Sequence, residues 1–316
     1  MILKFNICKK IIKLIATIFL SLFFVVSITF FLFEAIPGDL YDLDYIKNEN
    51  VIINIRNKYG LDDPLFKRYL NTIKSFLIFD FGYSTINEGM SVKSIIKEKF
   101  PVSAIIGIFS IFFSLVFGII IGLIKSKLLT KKRFLVLIIE ILFISIPVFV
   151  LSILFQYFFC VKIKLFPVYW NNSFLSFFLP ILVLSFYPII FIERVLDSNV
   201  KKIKNSDYVA AAVVRGVSDD NIKLKYIIKN SLTAILSYIA PLTANLVVGS
   251  FVVESIFNIP GLGRYFITSV INRDYPVAMG LTIFFSILLI IVTTLFNFII
   301  LIIDYKGDIK DKKNER

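Results

Sequence analysis

Few residues in this chain are of a type that could do chemistry. It has no histidine and only two cysteines among 316 residues, which removes imidazole metal sites and histidine general bases. Cys8 lies before the first long apolar run and Cys160 near the far end of the third, so they cannot pair. No G-x-x-x-x-G-K-[ST] phosphate loop occurs, so the chain is not expected to hydrolyse nucleotide by itself. No polar cluster suited to acid–base or metal chemistry recurs in the loops, which gives no catalytic and no metal-binding residues.

The polar stretch that stands out is "NSDYVAAAVVRGVSDD" at 205–220. Ser206 is placed to cap a helix that starts at Asp207, an acid well placed in a first turn. Ala210, Ala211 and Ala212 extend the helix with the strongest helix former. Gly216 ends it, because glycine takes the left-handed conformation at the position after the last helical turn. "SDDN" at 218–221 offers a new cap, and "IKLKYIIKNSL" continues helically into the next apolar run. The pattern predicts a short helix, a sharp turn and a second helix fused to a membrane span. Small alanine side chains allow the backbone of a partner to approach; an ordinary connecting loop with helical content is the other reading.

The elements that must position this stretch belong to a membrane. The chain is 58% hydrophobic, 16% aromatic and only 18% charged, more apolar than a soluble fold needs. Runs with little or no charge at 14–33, 102–124, 134–159, 174–192, 231–253 and 277–303 each approach the length that crosses about 30 Å of hydrocarbon. Six transmembrane helices are expected in an all-α polytopic membrane protein. The first run is read as an uncleaved helix, being too long for a signal-peptide core and lacking a small-residue cleavage site.

Orientation follows from the short flanks. Four Lys precede the first run, five Lys/Arg fall in 125–133 and eight in 193–230, against two each in 160–173 and 254–276. Positive charge is retained in the cytoplasm, which places both termini and 205–220 there. The 34–100 segment, with nine basic and ten acidic residues, becomes a small external domain. The expected organisation is therefore 1–33 for the amino terminus and first helix, 34–100 outside, 101–303 as the core containing the 193–230 loop, and 304–316 as a cytoplasmic tail. The net charge of +13 is then mostly a topology signal, and no nucleic-acid partner is expected.

Glu140 is the single acid inside a predicted span, seven residues after Arg133. It is read as interfacial or helix-pairing, within reach of Arg133 or water, with a transport role as the alternative. Pro147, Pro180 and Pro188 lie within spans and are read first as kinks, with the shaping of a pathway or hinge as the functional reading beside it. Gln156 can face a pathway or make an interhelical hydrogen bond. "NIPGLG" at 258–263 is a tight external turn, and "FPVYWNNSF", with the sole Trp, suits the outer aromatic belt.

Taken in order along the chain, several segments resemble one family. "DYVAAAVVRGVSDDNIKLKYIIKNSL" is similar to the cytoplasmic EAA-loop signature of ABC importer permeases in the dipeptide/oligopeptide/nickel branch. "IPGDLYD", "YGLDDPLFKRYL", "FDFGYS" and "SIPVFVLSILFQYFF" resemble its further segments, and "VVESIFNIPGLGRYFITSVINRDYPVAMG" matches its E-x-x-F-x-x-P-G-L-G … R-D-Y-P block nearly residue for residue. The chain departs from the usual pattern at Val213, Tyr226, Ala234 and Asp304–Lys306, which bears on contacts of the cytoplasmic surface.

The resemblance implies the type I ABC importer transmembrane-domain fold, with 205–220 as a coupling helix seated in a groove of a separate ATPase. Asp207, Tyr208, Ala210, Ala211, Ala212, Arg215, Gly216 and Asp219 would serve that coupling. Glu254, Pro260, Gly261, Gly263, Arg264, Arg273 and Asp274 would form the external mouth and docking face for a binding protein. Implied partners are a homologous second permease, two ABC ATPase subunits, an external substrate-binding (lipo)protein and the surrounding lipid of the cytoplasmic (inner) membrane. ATP and Mg would be held by the partner subunits, with no cofactor and no enzyme activity on this chain.

Peptide is the expected cargo, with nickel or another metal chelate as the alternative within the family. An ion-coupled secondary transporter or channel is the rival class. It is disfavoured because the spans carry almost no charge with which to couple an ion.

Overall fold

The computed structural model describes residues 2–36, 60, 62–87, 89–128, 130–204, 206–218, 221, 228–248 and 251–314. Much of the expected external domain, including most of the "IPGDLYD" segment, lies outside these residues, as does most of the second helix expected after Gly216. The regular elements among the described residues are all helices, with one isolated bridge between Tyr83 and Ser91 and no β-strand. They form two compact units, one of Met1–Pro101 and Arg264–Ile290, the other of Val102–Gly263 and Ile291–Arg316.

The first unit holds α1 (Ile2–Glu34), α2 (Leu65–Leu77), the start of α3 (Val92–Lys125), most of α10 (Leu262–Ile271) and the start of α11 (Tyr275–Asn314). The strongly amphipathic α2 lies against α1, with Tyr69 between Phe30 and Phe31 (ring centroids 5.5 and 5.3 Å). Arg68 pairs with Glu34 at 2.6 Å, so the charge at the end of the first span is matched.

The second unit holds the rest of α3, then α4 (Thr130–Ser145), α5 (Val148–Phe155), a π-helical segment (Gln156–Lys162), α6 (Leu175–Lys204), α7 (Asp207–Val214), α8 (Lys229–Val248) and α9 (Phe251–Ile256). Its apolar interior has two centres. One gathers Leu151, Leu179, Val183, Leu184, Val253 and Ile259. The other gathers Ile192, Leu196 and Val200 of α6, Val209 of α7, and Ile235 and Ile239 of α8.

A small-residue face of α3 sets how closely α6 approaches. A Cβ on Gly118 would stand 2.7 Å from the Ile192 Cβ, and one on Gly122 would stand 2.9 Å from the Leu196 Cβ and 3.1 Å from the Glu193 carbonyl oxygen. Between lipid tails there is little hydrophobic gain in bringing helices together, so close backbone approach and interhelical hydrogen bonds take over. Ser110 and Ser114 supply the latter, their hydroxyls donating to Ile181 O (3.3 Å) and Ser185 O (3.2 Å) of α6.

Four helices are long and apolar enough to cross a membrane, Ala16–Glu34, Val92–Lys125, Leu175–Ile203 and Tyr275–Ile300, and a fifth results if the bent pair Lys132–Ser145 and Val148–Lys162 is one span. The expected count of six is not reached among the described residues. In the 231–253 run only Ala234–Thr243 reads as an apolar helix, and that is too short to cross alone.

At Pro147 the expected kink is a break. The chain bends by 97° there, and Pro147 (φ −57°) starts the new helix α5. The carbonyl of Ile146 at the break accepts the hydroxyl of Tyr187, so the interruption leaves it satisfied. Pro180 and Pro188, by contrast, sit inside an uninterrupted α6.

Candidate functional site: a coupling helix and a buried charge cluster

Helix α7 begins at Asp207 and ends at Val214, as the local signals predict. Ser206 holds the extended N-cap backbone (φ −90°, ψ 144°), and its carbonyl accepts the amides of Val209 (3.0 Å) and Ala210 (3.1 Å). Its hydroxyl does not cap the helix. It donates backwards to Ile203 O at 2.5 Å, tying the start of α7 to the end of α6. Asp207 is exposed in the first turn, where a carboxylate complements the helix dipole.

One face of α7 is anchored and the rest is presented. Val209 is buried in the α6–α8 cluster, whereas Ala210, Val213, Val214, Arg215 and Gly216 are exposed and Ala211 is half-buried. Val214 is 88% exposed, an unusual setting for a branched apolar side chain next to Val213. The pair forms a small apolar tip that the residue pattern alone did not single out. Gly216 has φ +78°, and its amide bonds to Val213 O at 2.9 Å. The side chains of Tyr208 and Ala212, and Asp219 altogether, lie outside the described residues.

In the same unit, a set of charges is buried among α3, α4 and α6. Lys125 at the end of α3 reaches Glu140 of α4 at 2.5 Å and Glu193 of α6 at 2.8 Å. Arg194 reaches the other oxygen of Glu140 at 3.0 Å, and Arg133 pairs with Asp197. Lys125, Glu140 and Glu193 are 4%, 6% and 1% exposed. The sequence reading placed Glu140 beside Arg133 or water. Its partners are instead Lys125 and Arg194, while Arg133 is taken by Asp197. Glu193 was missed because its charge ended the predicted span at 192, although α6 continues to Lys204. Three cations face three carboxylates here, so the cluster is balanced, as burial at low dielectric demands.

Two further clamps involve residues expected at an external mouth. In the second unit, Glu254 is buried and accepts the Ser103 hydroxyl at 2.7 Å, while Ser103 Oγ accepts the amide of Leu262 at 2.9 Å. A Cβ on Gly261 would stand 2.6 Å from Ser103 Oγ and 2.7 Å from the Glu254 carboxyl carbon, and one on Gly263 would stand 2.9 Å from the Phe251 ring. The glycines of "NIPGLG" therefore make room for a buried carboxylate. Pro260 is half-buried beside them.

In the first unit, Asp274 accepts the Ser84 hydroxyl (2.5 Å) and the Thr85 amide (3.1 Å), which pins the "FDFGYS" segment to the start of α11. Burial, and then the Asp274 charge, push the nearby Tyr265 phenol up, and Asn87 donates to its oxygen at 3.2 Å. Of the charged residues expected to meet a binding protein, Arg273 is exposed and Arg264 half-buried, whereas Glu254 and Asp274 are inside. Gln156 opens the π-helical segment and donates to Val168 O (2.9 Å) and Ile256 O (3.2 Å), an interhelical tie.

With four helices long and apolar enough to cross a membrane, and a fifth if the bent pair is one span, this is a multi-pass membrane protein. Comparison with known proteins makes the class specific. Residues 114–306 match the family described as binding-protein-dependent transport system inner membrane component, and residues 7–107 match its N-terminal companion. The chain belongs to that family, the permease component of ABC importers.

Among its relatives is the dipeptide transport system permease protein DppB of Bacillus subtilis, 36% identical over 270 residues, covering 84% of this chain and 87% of that protein. The dipeptide permease DppB of Lactococcus lactis is 30% identical over 299 residues, 94% of this chain and 98% of that one. The oligopeptide transport system permease protein OppB of Escherichia coli is 30% identical over 266 residues, 83% of this chain and 87% of that one.

Proposed function

We propose that this chain is one of two permease subunits of an ATP-driven importer of peptides, and that α7 is the peg through which separate ATPase subunits act on it. The observation that carries the coupling role is the presentation of α7. A short helix is fixed by Val209, stopped by a left-handed Gly216, and offers Val213, Val214 and Arg215 outward. Such a helix is small enough to enter a groove and rigid enough to be pushed as a lever. The peptide cargo is supported by relatives named for dipeptide and oligopeptide transport, and these names do not favour nickel.

In this proposal ATP and Mg are held by the ATPases, and a homologous permease completes the pathway. An external binding protein delivers the peptide. The chain sits in the cytoplasmic membrane with both termini and α7 inside, by the distribution of Lys and Arg. Membrane vesicles containing the chain with its partner permease, ATPases and binding protein should accumulate a labelled dipeptide or oligopeptide when ATP is supplied. Vesicles with this chain alone should not. ATP-dependent uptake by the chain alone, or a complete complex that moves a nickel chelate and no peptide, would overturn the proposal.

A further inference from the structure

Helix α4 is weakly embedded in the second unit. Between residues 132 and 145, Glu140 alone is buried, while Phe134, Leu135, Ile139, Ile141 and Leu142 are all at least half exposed. Apolar packing holds α4 lightly, with Phe143 against Phe186 of α6 (ring centroids 4.9 Å), and in lipid an exposed leucine gains nothing by turning inward. Over residues 133–140 α4 is tied to its neighbours by ion pairs: Glu140 to Lys125 of α3 and Arg194 of α6, and Arg133 to Asp197 of α6. Glu193 closes the set by binding Lys125 at 2.8 Å from α6, one turn before Asp197.

The same stretch of α6 carries Ile192, Leu196 and Val200, which share one apolar cluster with Val209 of the peg. A push on α7 thus reaches α6 through apolar contacts, and from α6 it reaches α4 through the charges and, nearer the break at Pro147, through Phe186 against Phe143 and Tyr187 on the Ile146 carbonyl.

We propose that Glu193, Lys125 and Glu140 are positioning residues of transport. They form a lock that makes α3, α4 and α6 move as one body when the peg moves. This rests on the coupling role proposed above for α7. The lock differs from ordinary stabilising contacts in one testable respect. An ion cluster replaced as a whole by apolar side chains leaves no unmatched buried charge, and such replacements are commonly neutral or better for folding. They do, however, abolish the directional tie.

The test uses the complete transporter carrying Lys125→Met, Glu140→Leu, Glu193→Met and Arg194→Met together, which removes two cations and two carboxylates and leaves the Arg133–Asp197 pair matched, with Lys125→Arg as the conservative comparison. The expected result for the quadruple variant is an assembled complex that still hydrolyses ATP but takes up at least tenfold less peptide per ATP. Lys125→Arg should retain most of the coupling. Uptake per ATP within twofold of the parent in the quadruple variant would overturn the lock. So would failure of that variant to assemble, which would make the cluster a folding element only. Gly216→Val in parallel separates the two ideas. Normal uptake in that variant refutes the peg itself, whereas normal coupling confined to the quadruple variant refutes the lock and leaves the peg standing.

Discussion

Gly216 allows a prediction whose size can be worked out from its surroundings. Its φ is +78°, and a Cβ built on it meets nothing within 4 Å, so a side chain here pays no steric penalty against neighbours. The whole cost is that of the left-handed backbone, about 1–2 kcal/mol for a residue such as Ala. A cost of that size lowers the population of the correct turn by roughly 5- to 30-fold. Valine, branched at Cβ, is a clear outlier at positive φ and should do worse, whereas asparagine tolerates the left-handed region and should do little.

Global folding should hardly register the change, because the turn is exposed and peripheral. The order Gly ≈ Asn > Ala > Val should instead appear in the fraction of ATPase subunits retained on affinity-purified permease, and in peptide uptake. Normal retention and uptake with Gly216→Val would make the stretch a plain loop. An Asn variant as impaired as Val would refute the conformational reasoning, because the side chain rather than φ would then be at fault.

Three further outcomes follow from the same geometry. Gly122→Ala forces a Cβ to 2.9 Å from the Leu196 Cβ, so it should lower the stability of the detergent-purified protein by about 1–3 kcal/mol, read as a lower melting temperature. An unchanged melting temperature would mean that α3 and α6 are not in tight contact. Asp274→Ala strands the Ser84 hydroxyl and Thr85 amide, at about 1–3 kcal/mol, and should speed amide exchange or proteolysis within 79–87; equal protection would refute the clamp. Cysteines introduced at 60 and 216 should be labelled from opposite sides of the membrane, and labelling of both from one side would sink the proposed orientation.

Helix α7 was legible because its signals are local. Ser206, the alanine run and Gly216 act within a few residues, and the backbone follows them. What Ser206 does with its hydroxyl was not legible, since capping forward and bonding back to Ile203 O are both open to a serine before a helix. The charge cluster was hidden for a different reason. Hydropathy treats Lys125 and Glu193 as ends of apolar runs, and only their meeting across two helices makes each tolerable inside. Glu140 was noticed, but its partners lie 15 and 54 residues away, and no spacing rule on one helix names them.

The break at Pro147 was visible as a proline. Whether it bends a helix or ends it depended on Tyr187, from another helix, taking the Ile146 carbonyl. The glycines of the 258–263 turn were read as turn formers, whereas both are small because Glu254 and Phe251 occupy the space. The face of α3 bearing Ser110, Ser114, Gly118 and Gly122 has a readable spacing of four, and attention to small residues within spans would have found it.

The buried cluster also constrains how the protein is made. A helix released singly into the bilayer with a carboxylate or ammonium near its end carries that charge without a counterion, at a cost of up to about 2.5–3.5 kcal/mol if it lies at the centre of the membrane. Lys125 and Glu140 are only 15 residues apart, so they can neutralise each other as a hairpin while the ribosome is still translating. Glu193 and Arg194 emerge later and close the set from α6. A chain truncated or misread between 145 and 193 would hold a half-closed cluster facing lipid. Such a chain offers a membrane protease or chaperone a chemical mark that distinguishes an unfinished permease from a finished one.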